Sequence, residues 1–305
     1  METKYESVCV IMSTYNGEKY FEEQIGSVLK QKKVDVHVYI RDDGSNKNMI
    51  RLLKQYELYR NVYVEYGENI GYAKSFLKQT YLVPAFKYYA FCDQDDIWKE
   101  DKLYSAIEKM KEYDNIPCLY FSNLTFVDNN MNILKEKSYK DMPLEFGNAL
   151  VRNRISGCTM LFNKELLDIS KKVEYSNKNM GSHDSWMYRL CLYVGGQVIY
   201  DDNSYIFYRQ HENNVTGLKQ GLRKRLLGEY NKIFKDKNWR YNLVLTLAEN
   251  YKEKASVDNR QLTDIILEYR NSLKCKLRLL FNKKVKSGIF VVDLLKNISI
   301  VLNKF

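Results

Sequence analysis

Proline is nearly absent, with 3 in 305 residues, and glycine numbers only 14. That excludes a collagenous, linker-rich or low-complexity chain. No uncharged apolar stretch reaches 18 residues, because Asp293 and Lys296 interrupt the last candidate. A membrane-crossing helix is therefore not expected. The six cysteines, Cys9, Cys92, Cys118, Cys158, Cys191 and Cys275, form no C-x-x-C pair and mostly sit in apolar runs. Buried reduced thiols are the expectation. G-x-G-x-x-G, P-loop, G-x-S-x-G and H-E-x-x-H motifs are all missing, which removes the best-marked dinucleotide, NTPase, hydrolase and zinc-protease chemistries. Met1 to Glu6 is polar and shows no signal-peptide pattern, so a cytoplasmic setting is expected.

What is present begins with hydrophobic residues at 45%, enough for a sizeable core, and with 26 tyrosines. Charge is unevenly placed. From Lys219 onward there are 20 basic and 8 acidic residues, a balance of +12; the first 218 residues carry 28 and 30, a balance of −2. A near-neutral body followed by a basic tail predicts an anionic partner for the tail. We place the boundary between a catalytic-sized domain, 1–218, and a helical C-terminal region, 219–305, near residue 218, where glycine becomes rare.

Along the first hundred residues, apolar runs at 7–12, 36–40, 62–66 and 88–92 alternate with helix-spaced segments at 18–31, 49–59 and from 71 onward. Each apolar run ends in a polar cluster: Ser13-Thr14-Tyr15-Asn16-Gly17, Asp42-Asp43-Gly44-Ser45, Asn69-Ile70-Gly71 with Lys74, and Asp93-Gln94-Asp95-Asp96. Alternation of this kind predicts an α/β fold with a mostly parallel central sheet and helices on both faces. Ligands of such sheets bind beyond the carboxyl ends of the strands, so the four clusters are expected to meet at one site. Farther on, 118–122, 125–128, 156–162, 197–200 and 205–208 read as separate strands, with helices from Lys164 and from His183.

Three carboxylates within four residues at 93–96 repel one another unless a cation intervenes. Magnesium or manganese takes one or two carboxylates plus substrate phosphates, so an Asp-x-Asp turn suits a metal that also grips a diphosphate. The same residues would also serve as an acidic helix-capping turn ahead of Trp98. Asp42-Asp43-Gly44 is either an Asx turn or a carboxylate presented to a nucleobase N–H. Asp184, taken by itself, is a carboxylate complementing a helix dipole. His211 is either a metal or diphosphate contact or a hydrogen-bonded loop histidine. Arg209 is suited to a diphosphate or to a surface carboxylate.

Taken in order and spacing, Thr14-Tyr15-Asn16-Gly17, Arg41-Asp42-Asp43-Gly44-Ser45, Asn69-Ile70-Gly71 and Asp93-Gln94-Asp95-Asp96-Ile97-Trp98 resemble glycosyltransferase family 2. The likeness continues through Ser156-Gly157-Cys158, His183-Asp184-Ser185-Trp186 and Tyr208-Arg209-Gln210-His211, and spans about residues 7–217. It is similar to the bacterial branch that builds capsules, O-antigens and rhamnose-containing polysaccharides. The resemblance implies a GT-A fold, Rossmann-like, and an inverting transferase using a nucleotide-sugar donor such as dTDP-rhamnose or a UDP-hexose. It implies that Ser13, Thr14, Tyr15 and Asn16 frame the base, with Tyr15 stacking. Asp43 would accept the base N3–H with Asp42 supporting that turn, and Asn69, Gly71, Lys74, Gln94 and Arg209 would border the donor. Asp93, Asp95 and His211 would hold Mn2+ or Mg2+, and Asp184 would be the catalytic base. Trp98, Gly157, Cys158, His183 and Trp186 would lie on the acceptor side. Many relatives carry Glu-Asp where this chain has His183-Asp184, so the role of His183 is open.

The tail holds basic segments at 219–240 and 270–286, and an apolar stripe through Val291, Leu294, Leu295, Ile298, Val301, Leu302 and Phe305. Basic amphipathic helices bind anionic lipid surfaces, which fits an acceptor saccharide on a lipid diphosphate at the inner face of the cell membrane. A helical cap on the body or a homodimer interface would use the same pattern. A non-catalytic scaffold subunit is the alternative function. Nucleic-acid binding is disfavoured by the neutral body and the apolar stripe.

Overall fold

The computed structural model describes residues 5–152, 155–211, 230 and 238–305. The first half alternates as expected: β1 (Glu6–Thr14), α1 (Glu18–Leu29), β2 (Val34–Asp42), α2 (Lys47–Tyr56), β3 (Val62–Tyr66), α3 (Tyr72–Leu82) and β4 (Tyr88–Cys92). There follow β5 (Ile97–Trp98), α4 (Lys102–Met110), β6 (Cys118–Val127), β7 (Ile133–Lys137), α5 (Phe146–Val151), β8 (Leu161–Asn163), α6 (Lys164–Ser170), α7 (His183–Tyr193) and β9 (Gln197–Arg209). Four helices close the chain: α8 (Trp239–Tyr251), α9 (Val257–Glu268), α10 (Leu273–Leu280) and α11 (Phe290–Val301).

One sheet runs in the order β3-β2-β1-β4-β8-β6-β9-β5, with β7 beside β6. The first four strands of this order are parallel. Beyond β4 the sheet is mixed, since β8 is antiparallel to both β4 and β6, and β5 is antiparallel to β9. The expectation of a mostly parallel sheet therefore holds for the first half only. Two pairs of expected strands are single long strands: 118–122 with 125–128 form β6, and 197–200 with 205–208 form β9, which is joined to β6 across irregular register. The expected strand at 156–162 is a short 3-10 turn, Gly157–Thr159, followed by the three-residue β8.

Period-two alternation splits the core. Val8, Val10 and Met12 of β1 pack toward α1, α2 and α4, while Cys9 and Ile11 pack toward α3, α5 and α7. In β4, Tyr88, Ala90 and Cys92 face the first layer and Tyr89 and Phe91 the second. Both faces are covered, which is why these strands read as unbroken apolar runs.

The second layer does not stop at the expected boundary. Leu243, Leu247, Ile266, Leu279 and Ile300 belong to the same core as Ile11 and Phe91. Arg240 is buried and donates Nε to the Leu150 carbonyl at 3.1 Å, and Asn148 donates to the Lys286 carbonyl. A Cβ on Gly147 would meet the Lys284 carbonyl at 2.8 Å, so the tail lies directly on α5. The helical C-terminal region is thus packed on the body. The boundary near 218 and most of the basic segment at 219–240 lie outside the described residues. All six cysteines are free, five of them buried. Among the described residues no helix is long and apolar enough to cross a membrane.

Candidate active site

The polar strand ends do meet, and they form two differently built halves. In the first half, every carboxylate is satisfied internally. Asp42 accepts from the Thr14 hydroxyl at 3.1 Å and from the Ser45 N–H at 2.9 Å. Asp43 accepts the N–H groups of Ile70 and Gly71, both at 2.9 Å, and pairs with the Arg41 guanidinium. Arg41 and Asp43 are both about fully buried. Arg41 also donates to the Ser75 hydroxyl at 3.1 Å, which in turn is 2.7 Å from Ser13 Oγ. A carboxylate offers about four acceptor sites. Three of those on Asp43 are taken, which leaves one on Oδ2, beside Gly71.

Glycine is required where these tips crowd together. A Cβ on Gly67 would come within 2.3 Å of the Arg41 guanidinium. Gly71, at φ +83°, opens α3 in a conformation that disfavours other residues. Gln94 ties the end of β4 to the end of β1. It accepts the Tyr15 N–H at 2.8 Å and donates to the Tyr15 carbonyl at 3.1 Å. Asn16 joins the β1 and β2 ends by accepting the Asn46 N–H at 2.8 Å and donating its own N–H to Ser45. The Tyr15 ring stays about half exposed above this frame, and Lys74 is exposed on α3.

The second half carries unbalanced negative charge. Burial, then the charges of Asp95 and Asp184, push the Asp93 carboxyl up to about 7. Asp93, at the end of β4, thus feels carboxylates from its own turn and from the start of α7 at once. Asp96 is buried, and burial followed by Asp95 and Asp93 raises it well above the usual carboxylate range. Its Oδ1 accepts the Arg209 N–H at 3.2 Å, while Oδ2 has no partner. A carboxylate oxygen from each of Asp93 and Asp96 lies within 4.8 Å of the Cys158 sulfur. Burial pushes the Cys158 thiol up, so it stays protonated instead of acting as a thiolate ligand.

Asp95 turns outward to His211, whose Nε2 is 2.7 Å from Asp95 Oδ2. The His211 ring stacks on Tyr20 with centroids 5.2 Å apart. Arg209 is buried. It donates to the carbonyls of Asp95 and Asn129, each at 3.2 Å, and to the Glu23 carboxylate. Its guanidinium fastens the Asp95 turn to α1. Asp184 sits in the first turn of α7. Its Oδ1 accepts the Ser182 hydroxyl at 2.5 Å and the Ser185 N–H at 2.6 Å, and these bonds leave Oδ2 unused.

His183 points into an aromatic box. Its ring lies 4.1 Å from Phe76 and 4.6 Å from Phe91, and burial lowers its pKa to about 4. A Cβ on Gly157 would come 2.7 Å from His183 Nε2 and 3.2 Å from the Asp184 Cβ. The Ser156-Gly157-Cys158 turn therefore closes directly under the start of α7, and glycine is what permits it. Two expected acceptor-side residues are elsewhere. Trp98 is 2% exposed in the first core layer, with the Lys102 ammonium 3.7 Å from its ring centroid. Trp186 is fully buried in the second. Both indoles are core side chains, since the strand and helix that carry them turn those positions inward.

Three residues escaped the sequence reading. Arg41 was visible only as a cation two residues before a carboxylate at a strand end. Tyr72 follows Gly71 and stands edge-on to His183, in reach of the charges of Asp184 and Asp93 that raise its hydroxyl pKa after burial. Lys102 is buried, and burial lowers it to about 8 against the pull of Cys92, Cys158 and Asp96. A lysine in a helix of ordinary composition gives no signal of this.

The profile of glycosyl transferase family 2 matches residues 9–168. The dTDP-rhamnosyl transferase RfbG of Shigella flexneri is 28% identical over 261 residues, covering 82% of this chain and 88% of that protein. The putative teichuronic acid biosynthesis glycosyltransferase TuaG of Bacillus subtilis is 28% identical over 230 residues, covering 74% and 88%. The crystal structure of S. aureus TarS 1-349 in complex with UDP-GlcNAc shares the fold, with TM-score 0.55 and 16% identity over 96% of this chain and 89% of that one. The alternating first half, the strand-end acidic tips and the matched profile agree: the chain belongs to glycosyl transferase family 2 and is a glycosyltransferase.

Proposed function

We propose that this glycosyltransferase moves a rhamnosyl or hexosyl unit from dTDP-rhamnose or a UDP-sugar to a hydroxyl of a saccharide carried on a lipid diphosphate. The setting is the inner face of a bacterial membrane, and the product a capsule or O-antigen type polymer. The observation that carries the reading is the convergence of Asp93, Asp95 and Asp184. The similarity to RfbG favours a deoxythymidine-linked rhamnose as donor.

Tyr15 supplies a ring for the base to stack on. The free acceptor site on Asp43 Oδ2 suits the N3–H of uracil or thymine. Lys74, exposed on α3, would lie near the nucleotide. The residues fit a divalent cation, because Asp93 and Asp95 present hard oxygen donors at one turn, Asp93 is pushed up by burial and the neighbouring carboxylates, and His211 stands beside Asp95. Mn2+ or Mg2+ held there would neutralise the diphosphate as it leaves.

Asp184 does the proton work. Its Oδ1 is anchored by Ser182 and Ser185, so Oδ2 is held toward the acceptor. As the acceptor oxygen attacks the anomeric carbon, its proton passes to Asp184 Oδ2. The bond from that carbon to the diphosphate oxygen breaks, and the nucleoside diphosphate keeps the electron pair. A single displacement inverts the anomeric centre. A scaffold role is disfavoured because the acidic set is intact. The test is donor turnover with Mn2+, comparing the natural chain with Asp184→Asn. Loss of transfer with retained nucleotide binding supports the assignment, and an unchanged rate removes Asp184 from the mechanism.

A further inference from the structure

The last helix buries polar side chains beside Ile300 and leaves most of its apolar ones outside. On α11 the polar residues face the protein. Lys296 is buried and donates Nζ to the Val285 carbonyl at 3.0 Å, Ser299 is buried, and Asp293 accepts the Ser287 N–H at 2.6 Å. The apolar stripe at Phe290, Leu294, Ile298 and Val301 faces outward, with Phe290 81% exposed. The neighbouring α10 buries Leu279 but adds to the outward apolar face: Leu273 and Leu277 are exposed, and Phe281 just beyond it is 79% exposed. Spacings of three and four residues put each set on one face of its helix. An apolar face of this extent, built on two adjacent helices, is not an ordinary solvent surface.

Charge identifies what covers it. Residues 270–286 hold seven basic residues and no acid. Lys274, Arg278, Lys283 and Lys286 are exposed and make no ion pair among the described residues, whereas Lys284 is engaged by Asp258. A second copy of this chain docked by a two-fold axis would set one basic cluster against the other, which is unfavourable. An anionic bilayer accepts both features, since apolar side chains enter the headgroup boundary while lysines and arginines meet lipid phosphates.

We propose that the outward faces of α10 and α11 form a membrane-insertion surface that seats the enzyme on anionic lipid headgroups. It deepens the reading of a lipid-linked acceptor, yet rests on its own observations. Lys296, Ser299 and Asp293 act here as positioning residues: by tying the polar face to the body they hold the apolar face outward.

The test is flotation of the full chain with vesicles of phosphatidylcholine alone or with about 30% phosphatidylglycerol. The expected result is binding to the anionic vesicles, at least tenfold weaker to the neutral ones and weakened by salt. Leu294→Glu with Ile298→Glu, and separately Lys283→Glu with Lys286→Glu, should each reduce binding at least tenfold. These positions are exposed, and donor hydrolysis in vesicle-free buffer checks that the variants fold. Equal binding to both vesicle types, no binding, unaffected variants, or a solution dimer that the Leu294 and Ile298 changes dissociate would overturn the proposal. Hydrolysis that persists without vesicle binding removes only this surface, and vesicle binding without hydrolysis removes only the transferase assignment.

Discussion

The two halves of the site solve the same problem in opposite ways. Both gather carboxylates at strand ends. At the base end, Asp42 and Asp43 are neutralised by Arg41, hydroxyls and backbone N–H groups. At the sugar end, burial and the charges of Asp95 and Asp184 push Asp93 up, and Asp96 adds a buried oxygen with no partner. A satisfied cluster is a frame; an unsatisfied one is prepared to receive charge. Substitutions at the base end should therefore cost stability, and substitutions at the sugar end should cost turnover.

The largest expected effect is at Asp184. Asp184→Asn should lower kcat by about a hundred- to ten-thousandfold, as loss of a general base does. Nucleotide affinity and melting temperature should change little, as calorimetry would register. Asp43→Ala should instead cost stability, together with nucleotide affinity. It leaves Arg41 buried without its carboxylate, and breaking a buried pair in this way costs about 3–5 kcal/mol. Denaturant unfolding in the absence of nucleotide reads that loss; a change within error would dissolve the contrast between the halves.

His183 sharpens the comparison through pH. Its folded pKa is lowered from 6.5 to about 4 by burial. Between those values the unfolded chain binds a proton that the folded chain refuses, so stability falls as pH drops from about 6.5 to 4. The span corresponds to at most about 3 kcal/mol. His183→Phe fits the box of Phe76 and Phe91 and should flatten that part of the stability curve, measured by unfolding at pH 4.5 and 7. An unchanged acid slope would mean that His183 is not the group responsible. The smallest effect is expected at Lys74→Met. The exposed side chain should contribute within about 0.5 kcal/mol to stability, and donor KM should rise severalfold in steady-state kinetics at constant kcat.

Much of this was legible in the sequence where local pattern and packing agree. The strands β1 to β4 are covered on both faces, so they read as apolar runs, and their polar ends announced where the site would be. Asp93 and Asp95 were marked in this way, whereas Asp184, in the first turn of α7, was marked only by the resemblance to the family. Legibility failed where tertiary context decides. β5 has two residues and β8 three, too short for any periodicity. Trp98 and Trp186 adjoin the motif residues in sequence, but their elements turn them into the core. Arg209 looks like a phosphate ligand, yet it is bound to Asp95, Asn129 and Glu23 inside the fold. The apolar stripe was read along α11, although Phe305 at its end is buried in the core, and no sequence pattern says which face of an amphipathic helix meets the protein. Lys296, bonded inward to Val285, settles that question.

The most direct test of the unsatisfied half is titration of the protein with dTDP and UDP in the presence and absence of Mn2+. The account predicts at least tenfold tighter binding of the preferred nucleotide with Mn2+, and loss of that factor in Asp95→Ala while metal-free affinity is kept. Equal affinity with and without Mn2+ in the natural chain would contradict it.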